Sequence, residues 1–430
     1  MSRQRWFLLP MRISAAISVL VLPTSVLAAG PATASYEIDQ VIDLALARNP
    51  TVAGAEAAIE QSRGQRITAG AYPNPSITGF TGRGTLRDAG RTAVIAIEEQ
   101  PPSGITEYNV MLGQPLEWPA KRAARKRAAD AGLEGATVGL QETRLNLIAE
   151  VKIAFYELLV AQRDADIARQ NLAIVQDVQR IVNARVRLGE APQFEAIKAE
   201  VEVLKANQVV TRADNTVRVT RVVLDTLTVG ALGAGYMING DFERLPRGLK
   251  LDNLARRAVE QHPTIQRITR LVEQASQSIE FQRQARVPNV TVNGAYWREI
   301  GREAVTAGIS VPTPIWYRRQ GEITEAFGTK RREEAELLRA RNNLLREVNQ
   351  HFQDSLTTAE LIDVFEKGLL KQSQEALRIA QFSFQQGESS LLEVLDAQRV
   401  LRQIFFDYAQ ARYELSVSLA RLERAVGGLL

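Results

Sequence analysis

Two long tracts of this 430-residue chain carry apolar residues at three- and four-residue steps, with nothing inside them to break a helix. Leu145, Ile148, Val151, Phe155 and Leu158 fall on one helical face of the first tract. Leu391, Val394, Leu395, Gln398 and Leu401 do the same near the end of the chain. No proline stands between Pro119 and Pro192, and none follows Pro314. The composition of both tracts favours strong helix formers: Ala, Leu, Glu, Gln and Arg. Each predicts a helix of roughly 60–70 residues, on the order of 100 Å long at ~1.5 Å per residue. Each turns once, near Gly189 or Gly387, and a second helix returns.

A different period appears just before each tract. Val290, Val292 and Tyr296 alternate with Thr291 and Asn293, and Val305, Ala307, Ile309 and Val311 alternate with Thr306, Gly308 and Ser310. In the first half Tyr108, Val110 and Leu112 share a face, while the outgoing strand near Ser76–Thr81 is less regular. Alternation at period two predicts strands with one apolar and one polar face. Residues 84–105 form a longer excursion, within which Thr92–Ile97 is either a strand extension or a loop hairpin.

These elements occur in the same order twice. Ala45-Leu-Ala-Arg-Asn-Pro-Thr-Val52 recurs as Ala258-Val-Glu-Gln-His-Pro-Thr-Ile265, and Tyr72-Pro-Asn-Pro-Ser-Ile-Thr-Gly79 as Val287-Pro-Asn-Val-Thr-Val-Asn-Gly294. Leu188-Gly-Glu190 matches Gln386-Gly-Glu388, and Leu227-Thr-Val-Gly230 matches Arg424-Ala-Val-Gly427. Internal repetition of this kind sets the domain plan. A first repeat spans 30–230, a linker 231–249 carries Gly233, Gly235, Gly240, Pro246 and Gly248, and a second repeat spans 250–430. In each repeat an Asn-Pro or His-Pro step interrupts the opening helix (Ile38–Gly70; Leu251–Arg286) early.

The start of the chain reads differently. Arg3, Arg5 and Arg12 flank an apolar run, Ile13–Leu27, that ends in Ala28, Ala29 and Gly30. This predicts a secretory signal peptide over 1–29. No cysteine occurs anywhere, which excludes a disulfide framework, a thiolate metal site and a cysteine-borne lipid anchor. The formal charge of +4 falls near +1 without the three leader arginines, so neither charge nor an exported location suits a nucleic-acid partner. Past the leader only His262, His351, Met111 and Met237 could ligate a soft metal, and they are scattered. No resident metal or other cofactor is expected, and His262, ahead of a proline at a helix break, is expected to cap or to lie at the surface. Nothing resembles a P-loop, a Gly-x-Ser-x-Gly elbow or a His-Glu-x-x-His helix, so no enzyme is expected.

The flanks of the strands point to lipid. Trp118 precedes Lys121 and Arg122, and Trp316 and Tyr317 precede Arg318 and Arg319. An aromatic followed by a basic pair suits a membrane interface. Lys121, Arg122, Arg125, Lys126 and Arg127 equally suit a solvated helix start. Two hairpins supply about four strands, and a closed barrel needs roughly eight or more. An open edge in lipid is prohibitive, so the chain must oligomerise. Three copies give about twelve strands, an even-numbered barrel.

The order helix, Pro73-Asn-Pro75, hairpin, Gln114-Pro-Leu116, long helix pair, closing with Leu391-Leu-Glu-Val-Leu-Asp-Ala-Gln398, resembles the TolC-like outer-membrane factors. The resemblance covers the chain beyond its leader. It implies a mainly α fold with a transmembrane β-barrel: a homotrimer forming one 12-stranded barrel in the outer membrane, continuous with a long α-helical periplasmic tunnel. It also implies an inner-membrane pump of the RND type and a periplasmic adaptor, or membrane fusion protein, as partners. Pro314-Ile-Trp-Tyr-Arg-Arg-Gln-Gly-Glu-Ile323, with Gln114-Pro-Leu116 and Lys121-Arg122, is similar to the heavy-metal branch of cobalt–zinc–cadmium type. The stretch 86–105 departs from that branch in length. Metals would then be cargo in transit, selected at the pump.

Family members close the periplasmic end with acidic side chains. The matching positions are Glu195, six residues after Gly189, and Glu393 and Asp396 after Gly387. Residues three apart project from one helix face, and rings of carboxylates favour cations. The family's tighter gates also use a Tyr or Arg, where this chain has Phe384 and Ser389. Two other readings stay open: the same duct carrying drugs or proteins, and a soluble periplasmic coiled-coil adaptor whose strands pack on a core.

Overall fold

The computed structural model describes residues 35–84, 105–233, 235–299 and 302–430. The predicted signal peptide and the excursion at 85–104, with Thr92–Ile97, lie outside the described residues. The first half runs β1 (Ser35–Tyr36), α1 (Ile38–Arg48), α2 (Pro50–Gly70), β2 (Ser76–Gly84), β3 (Ile105–Leu116), α3 (Pro119–Arg187) and α4 (Gln193–Leu227). A segment carrying β4 (Met237–Ile238) leads to α5 (Leu251–Gln261), α6 (Pro263–Gln284), β5 (Val290–Glu299) and β6 (Arg302–Ser310). The chain ends with α7 (Gln320–Val364), a π-helical turn (Phe365–Leu369), α8 (Leu370–Gln386) and α9 (Leu391–Val426).

At 69 residues α3 is unbroken and about 100 Å long. Its counterpart is not: the π turn divides α7 from α8. A π turn takes in one extra residue, a one-residue slip that is lost among apolar steps already alternating between three and four. Both long arms end on a left-handed glycine, Gly189 (φ 76°) and Gly387 (φ 78°), the backbone that lets a helix stop and double back.

The Asn-Pro and His-Pro steps are matching elbows. Asn49 caps α2 by accepting from the Thr51 N–H (3.0 Å), while its amide donates to the Leu227 carbonyl at the end of α4 (2.9 Å). His262 caps α6 by accepting at Nδ1 from the Thr264 N–H (3.1 Å). That places its proton on Nε2, which donates to the Arg424 carbonyl near the end of α9 (2.9 Å). Each elbow therefore pins the opening helix of a half to the returning helix of the same half. His262 caps, as expected, and is buried.

The linker, which its glycines present as a loose connection, is packed down. β4 pairs in parallel with β1, Ser35 against Met237 and Tyr36 against Ile238. Tyr236, Ile238 and Phe242 enter a core with Val41, Phe155, Leu158 and Leu224. Gly240 is there for space: a Cβ would meet the Phe155 ring at 3.3 Å. Beside this core sits a buried ionic cluster. Lys152 Nζ lies 2.6 Å from Glu423 and 3.5 Å from Glu243, and the Tyr156 hydroxyl donates to Glu243 (2.6 Å).

β2, β3, β5 and β6 form one antiparallel sheet in the order β2-β3-β5-β6, leaving β2 and β6 as its edges. Pairing fixes which residues share a face. One face carries the rows Ile77–Leu112–Gly294–Ala307, Gly79–Val110–Tyr296–Val305 and Gln114–Val292–Ile309. The other carries Ser76–Gly113–Asn293–Gly308 and Thr78–Met111–Ala295–Thr306, with Phe80 and Trp297 as apolar intrusions. Val311 lies just past the end of β6.

Candidate functional site

The apolar face of the sheet meets no protein core. Ile77, Val305 and Ile309 are more than 70% exposed, and Tyr108, Val110, Leu112, Val292 and Tyr296 are open beside them. No residue of these four strands joins any hydrophobic cluster among the described residues. A contiguous apolar surface of this extent costs free energy in water and none in lipid. The buried strands that a soluble adaptor requires are not found in this sheet.

Where the sheet meets the helices, the expected anchors divide by role. Trp118 is half exposed ahead of α3, and Trp316 is 89% exposed, next to exposed Ile315, Tyr317 and Arg318. Arg319 adopts a left-handed backbone (φ 61°) and pairs with Glu322 (3.4 Å). Lys121 donates to the Asn289 side chain (3.1 Å). Arg122 donates to the Gly70 carbonyl (2.7 Å) and stacks 3.8 Å over the Tyr72 ring. Arg125 reaches the Ala69 and Ala71 carbonyls and forms a two-pronged pair with Glu117 (2.6 and 3.0 Å). Arg122 and Arg125 thus close the C-terminal end of α2, whose last carbonyls have no helical partner and favour positive charge.

At the opposite end, the two turns share one apolar cluster. Val178 and Val182 of α3, Ala199 of α4, Leu377 and Phe384 of α8, and Leu391, Val394 and Leu395 of α9 pack together. Glu195 lies half-buried in the first turn of α4, while Glu393 and Asp396 are exposed on α9. No hydrogen bond joins any two of the three within one chain. Glu393 has a local duty: the Ser390 hydroxyl accepts from its N–H (3.4 Å) and donates to its carboxylate (3.2 Å). Ser390 followed three residues on by Glu393 is a helix-start signature present in the sequence. Asp396 is 3.9 Å from Arg399. Phe384 is buried beneath the Arg185 guanidinium (5.1 Å), and the Ser389 hydroxyl donates to the Ala380 carbonyl (3.3 Å).

The sheet is naked on its apolar side and is carried on two long helical hairpins, one from each repeat. The profile of the outer membrane efflux protein family matches residues 41–230 and 254–428. The chain belongs to the outer membrane efflux protein family. Two relatives span nearly its full length. The cobalt-zinc-cadmium resistance protein CzcC of Cupriavidus metallidurans is 23% identical over 402 residues, covering 93% of this chain and 91% of that one. The pyoverdine export outer membrane protein OpmQ of Pseudomonas putida is 26% identical over 420 residues, covering 92% and 87%. Among solved structures, CusC superposes with a TM-score of 0.76 at 17% identity, covering 91% of this chain and 92% of that one. This likeness establishes the fold.

As an outer membrane efflux protein the chain is a passive channel and not an enzyme. No helix of the described residues is long and apolar enough to cross a membrane. No group of three or more His, Asp or Glu side chains among the described residues is arranged to hold a metal ion.

Proposed function

We propose that three copies of this chain close their sheets edge to edge into a twelve-stranded barrel and line one periplasmic tunnel, the exit duct of a tripartite efflux system. An inner-membrane pump of the RND type delivers cargo, and a periplasmic adaptor joins pump to duct. The observation that carries this reading is the four-stranded sheet with an exposed apolar face and, among the described residues, no strand paired to either edge. One such sheet cannot close, and an unclosed edge is not tolerated in lipid.

The proposed cargo is a heavy-metal cation, on the strength of the likeness to CzcC across more than 90% of both chains. Deleting the gene is expected to sensitise its host to zinc, cobalt or cadmium salts and not to a drug panel, with the intact gene restoring growth. The comparable likeness to OpmQ supports a second reading, an organic cargo of the pyoverdine kind. Loss of organic export with normal metal tolerance decides for that reading.

At the tunnel mouth, threefold symmetry would bring Glu195, Glu393 and Asp396 from each copy toward one ring of up to nine carboxylates. Such a ring favours cation entry. In planar bilayers the double variant Glu393→Gln/Asp396→Asn is expected to lose cation preference about two- to tenfold, one tenfold step corresponding to ~1.4 kcal/mol. Unaltered ion selectivity in the double variant, and in Glu195→Gln, sinks the gate. Ser390 still caps α9 in these variants, so the turn itself should persist.

A further inference from the structure

We infer that the π-helical turn is a hinge in the second long hairpin, and that Tyr408 and Arg412 latch this hinge to the inter-repeat linker. The inference rests on the duct reading above and adds to it a means of controlling how the tunnel opens.

The two hairpins are otherwise built alike, yet only the second is interrupted. Phe365–Leu369 adopts i→i+5 bonding, with Gly368 inside it, where an α-helix would run on. Such turns are where long helices bend. Packing around it is correspondingly thin. Above lies a cluster of Ile362, Ala411, Leu415 and Leu419; below lies the tip cluster that begins at Leu377 and Leu401. Between them, over residues 363–376, the single buried side chain is Ser373. At the upper edge of the tip cluster α9 meets α3 through a buried polar pair, Gln398 to Asn171. Segments with few buried apolar contacts open at low cost.

Across this weak band runs a chain of polar bonds. The Tyr408 hydroxyl donates to Glu366 within the π turn (2.9 Å) and accepts from Arg412 Nη1 (3.1 Å). The other end of that guanidinium reaches Asp241 Oδ1 and the Phe242 carbonyl, both at 3.3 Å. Its plane also lies over the Phe242 and Tyr408 rings, and the Phe365 ring stands 5.9 Å from that of Tyr408. The linker is itself held to the frame: the Glu243 N–H donates to Ser416 Oγ (2.9 Å), and the Glu243 carboxylate accepts from Tyr156 of α3 (2.6 Å). Arg412 is nearly enclosed, so its bonds are little diluted by water, whereas Asp241 is exposed and can be reached from outside. Once the latch is released, the Phe365–Tyr408 ring contact still ties the turn to α9, and the tip cluster holds the far end of α8.

Two variants pull in opposite directions. Tyr408→Phe removes one oxygen and keeps the ring. Deleting Gly368 removes the extra residue, converting the π turn to α-helix without rotating α8 about its axis. In planar bilayers Tyr408→Phe is expected to open several-fold more often than the parent and the deletion several-fold less often, both with parental ion selectivity. The gate carboxylates are read in selectivity instead, so the two ideas fail separately. Amide exchange over residues 363–376 in detergent reads the latch without reference to conduction. It should quicken several-fold in Tyr408→Phe and slow in the deletion. Parental exchange in both variants overturns the latch even where the channel conducts. Altered exchange with no conductance upholds the latch and counts against the duct.

Discussion

Replacing Lys152 with methionine is expected to destabilise the protein by about 3–5 kcal/mol at neutral pH, the cost of stripping one partner from a buried ionic group. Methionine keeps the length of the stem, so the loss reports charge more than volume. Lys152 is almost wholly buried between α3, α9 and the linker, facing Glu423 and Glu243. Burial alone would push its ammonium down, but the hydrogen bond to Glu423 and the charges of both carboxylates outweigh that and hold it above the ordinary value. Glu423 moves the other way from what pairing suggests: burial pushes it up, further than its bond to Lys152 and that residue's charge pull it down. Both values rise, because the ammonium answers to two carboxylates, while Glu423 is buried and answers to one ammonium with a second carboxylate beside it.

The effect depends on pH in a definite direction. In the parent, the Lys152 contribution is complete below the ordinary lysine value of 10.5 and fades as pH rises through the raised one. In the methionine variant the penalty belongs to the carboxylates, so it shrinks as pH falls from neutral through the raised value of Glu423 and protons settle there. Adding Glu423→Gln should recover much of the loss. The check is the unfolding transition in detergent across that range. A Lys152→Met protein within about 1 kcal/mol of its parent would show the cluster to be incidental.

The second large effect lies at the His262 elbow. Alanine there is expected to cost about 2 kcal/mol, combining a lost helix cap of about 1 kcal/mol with one lost hydrogen bond of about 1 kcal/mol to the Arg424 carbonyl, which keeps the Gly427 N–H (3.2 Å). His262 is held below the ordinary imidazole value, first by burial. The unfolded chain therefore takes up a proton before the folded one does. Stability is complete above pH ~6.5 and declines as pH falls below it. His351, held down by burial and by the charge of Arg421, adds to the same slope. His262→Asn copies the residue used at the first elbow, and is expected to keep most of the stability while flattening part of the slope. Asn49→Ala should cost a similar amount with no dependence between about pH 5 and 8. Unfolding temperatures of the three variants at about pH 5.5 and 7.5 check this, and equal slopes for His262→Asn and the parent would refute it.

The elbows show where sequence was sufficient. An Asn or His before a proline, followed by threonine, contains both the helix break and its cap. The helices were equally plain, because proline-free stretches with one apolar stripe admit few other conformations. Strand faces came from period two, and pairing then made them a single sheet. Elsewhere the deciding partners were remote in sequence. Arg122 and Arg125 read as a solvent or headgroup belt, and no local pattern says that the end of α2, some 50 residues earlier, needs their donors. The linker's glycines read as slack, yet Tyr236 and Phe242 are core residues whose sockets come from α1, α3 and α4. The π turn is silent because a slip of one residue is lost among steps that already alternate between three and four. At the proposed gate, Glu195, Glu393 and Asp396 were named by resemblance, while the tie between Ser390 and Glu393 was readable from spacing alone.

The edge positions of β2 and β6 bear on inheritance as well as architecture. In the proposed three-membered ring every seam joins the β2 side of one copy to the β6 side of the next, so a single copy with a spoiled rim breaks the closure for all three. In a cell making sound and rim-damaged subunits in equal amounts, only about one ring in eight would be assembled from sound copies alone. Lesions on those two strands should therefore behave as dominant, poisoning the product of an intact gene. Lesions in the buried cluster around Lys152, which remove a subunit before it can assemble, should be recessive.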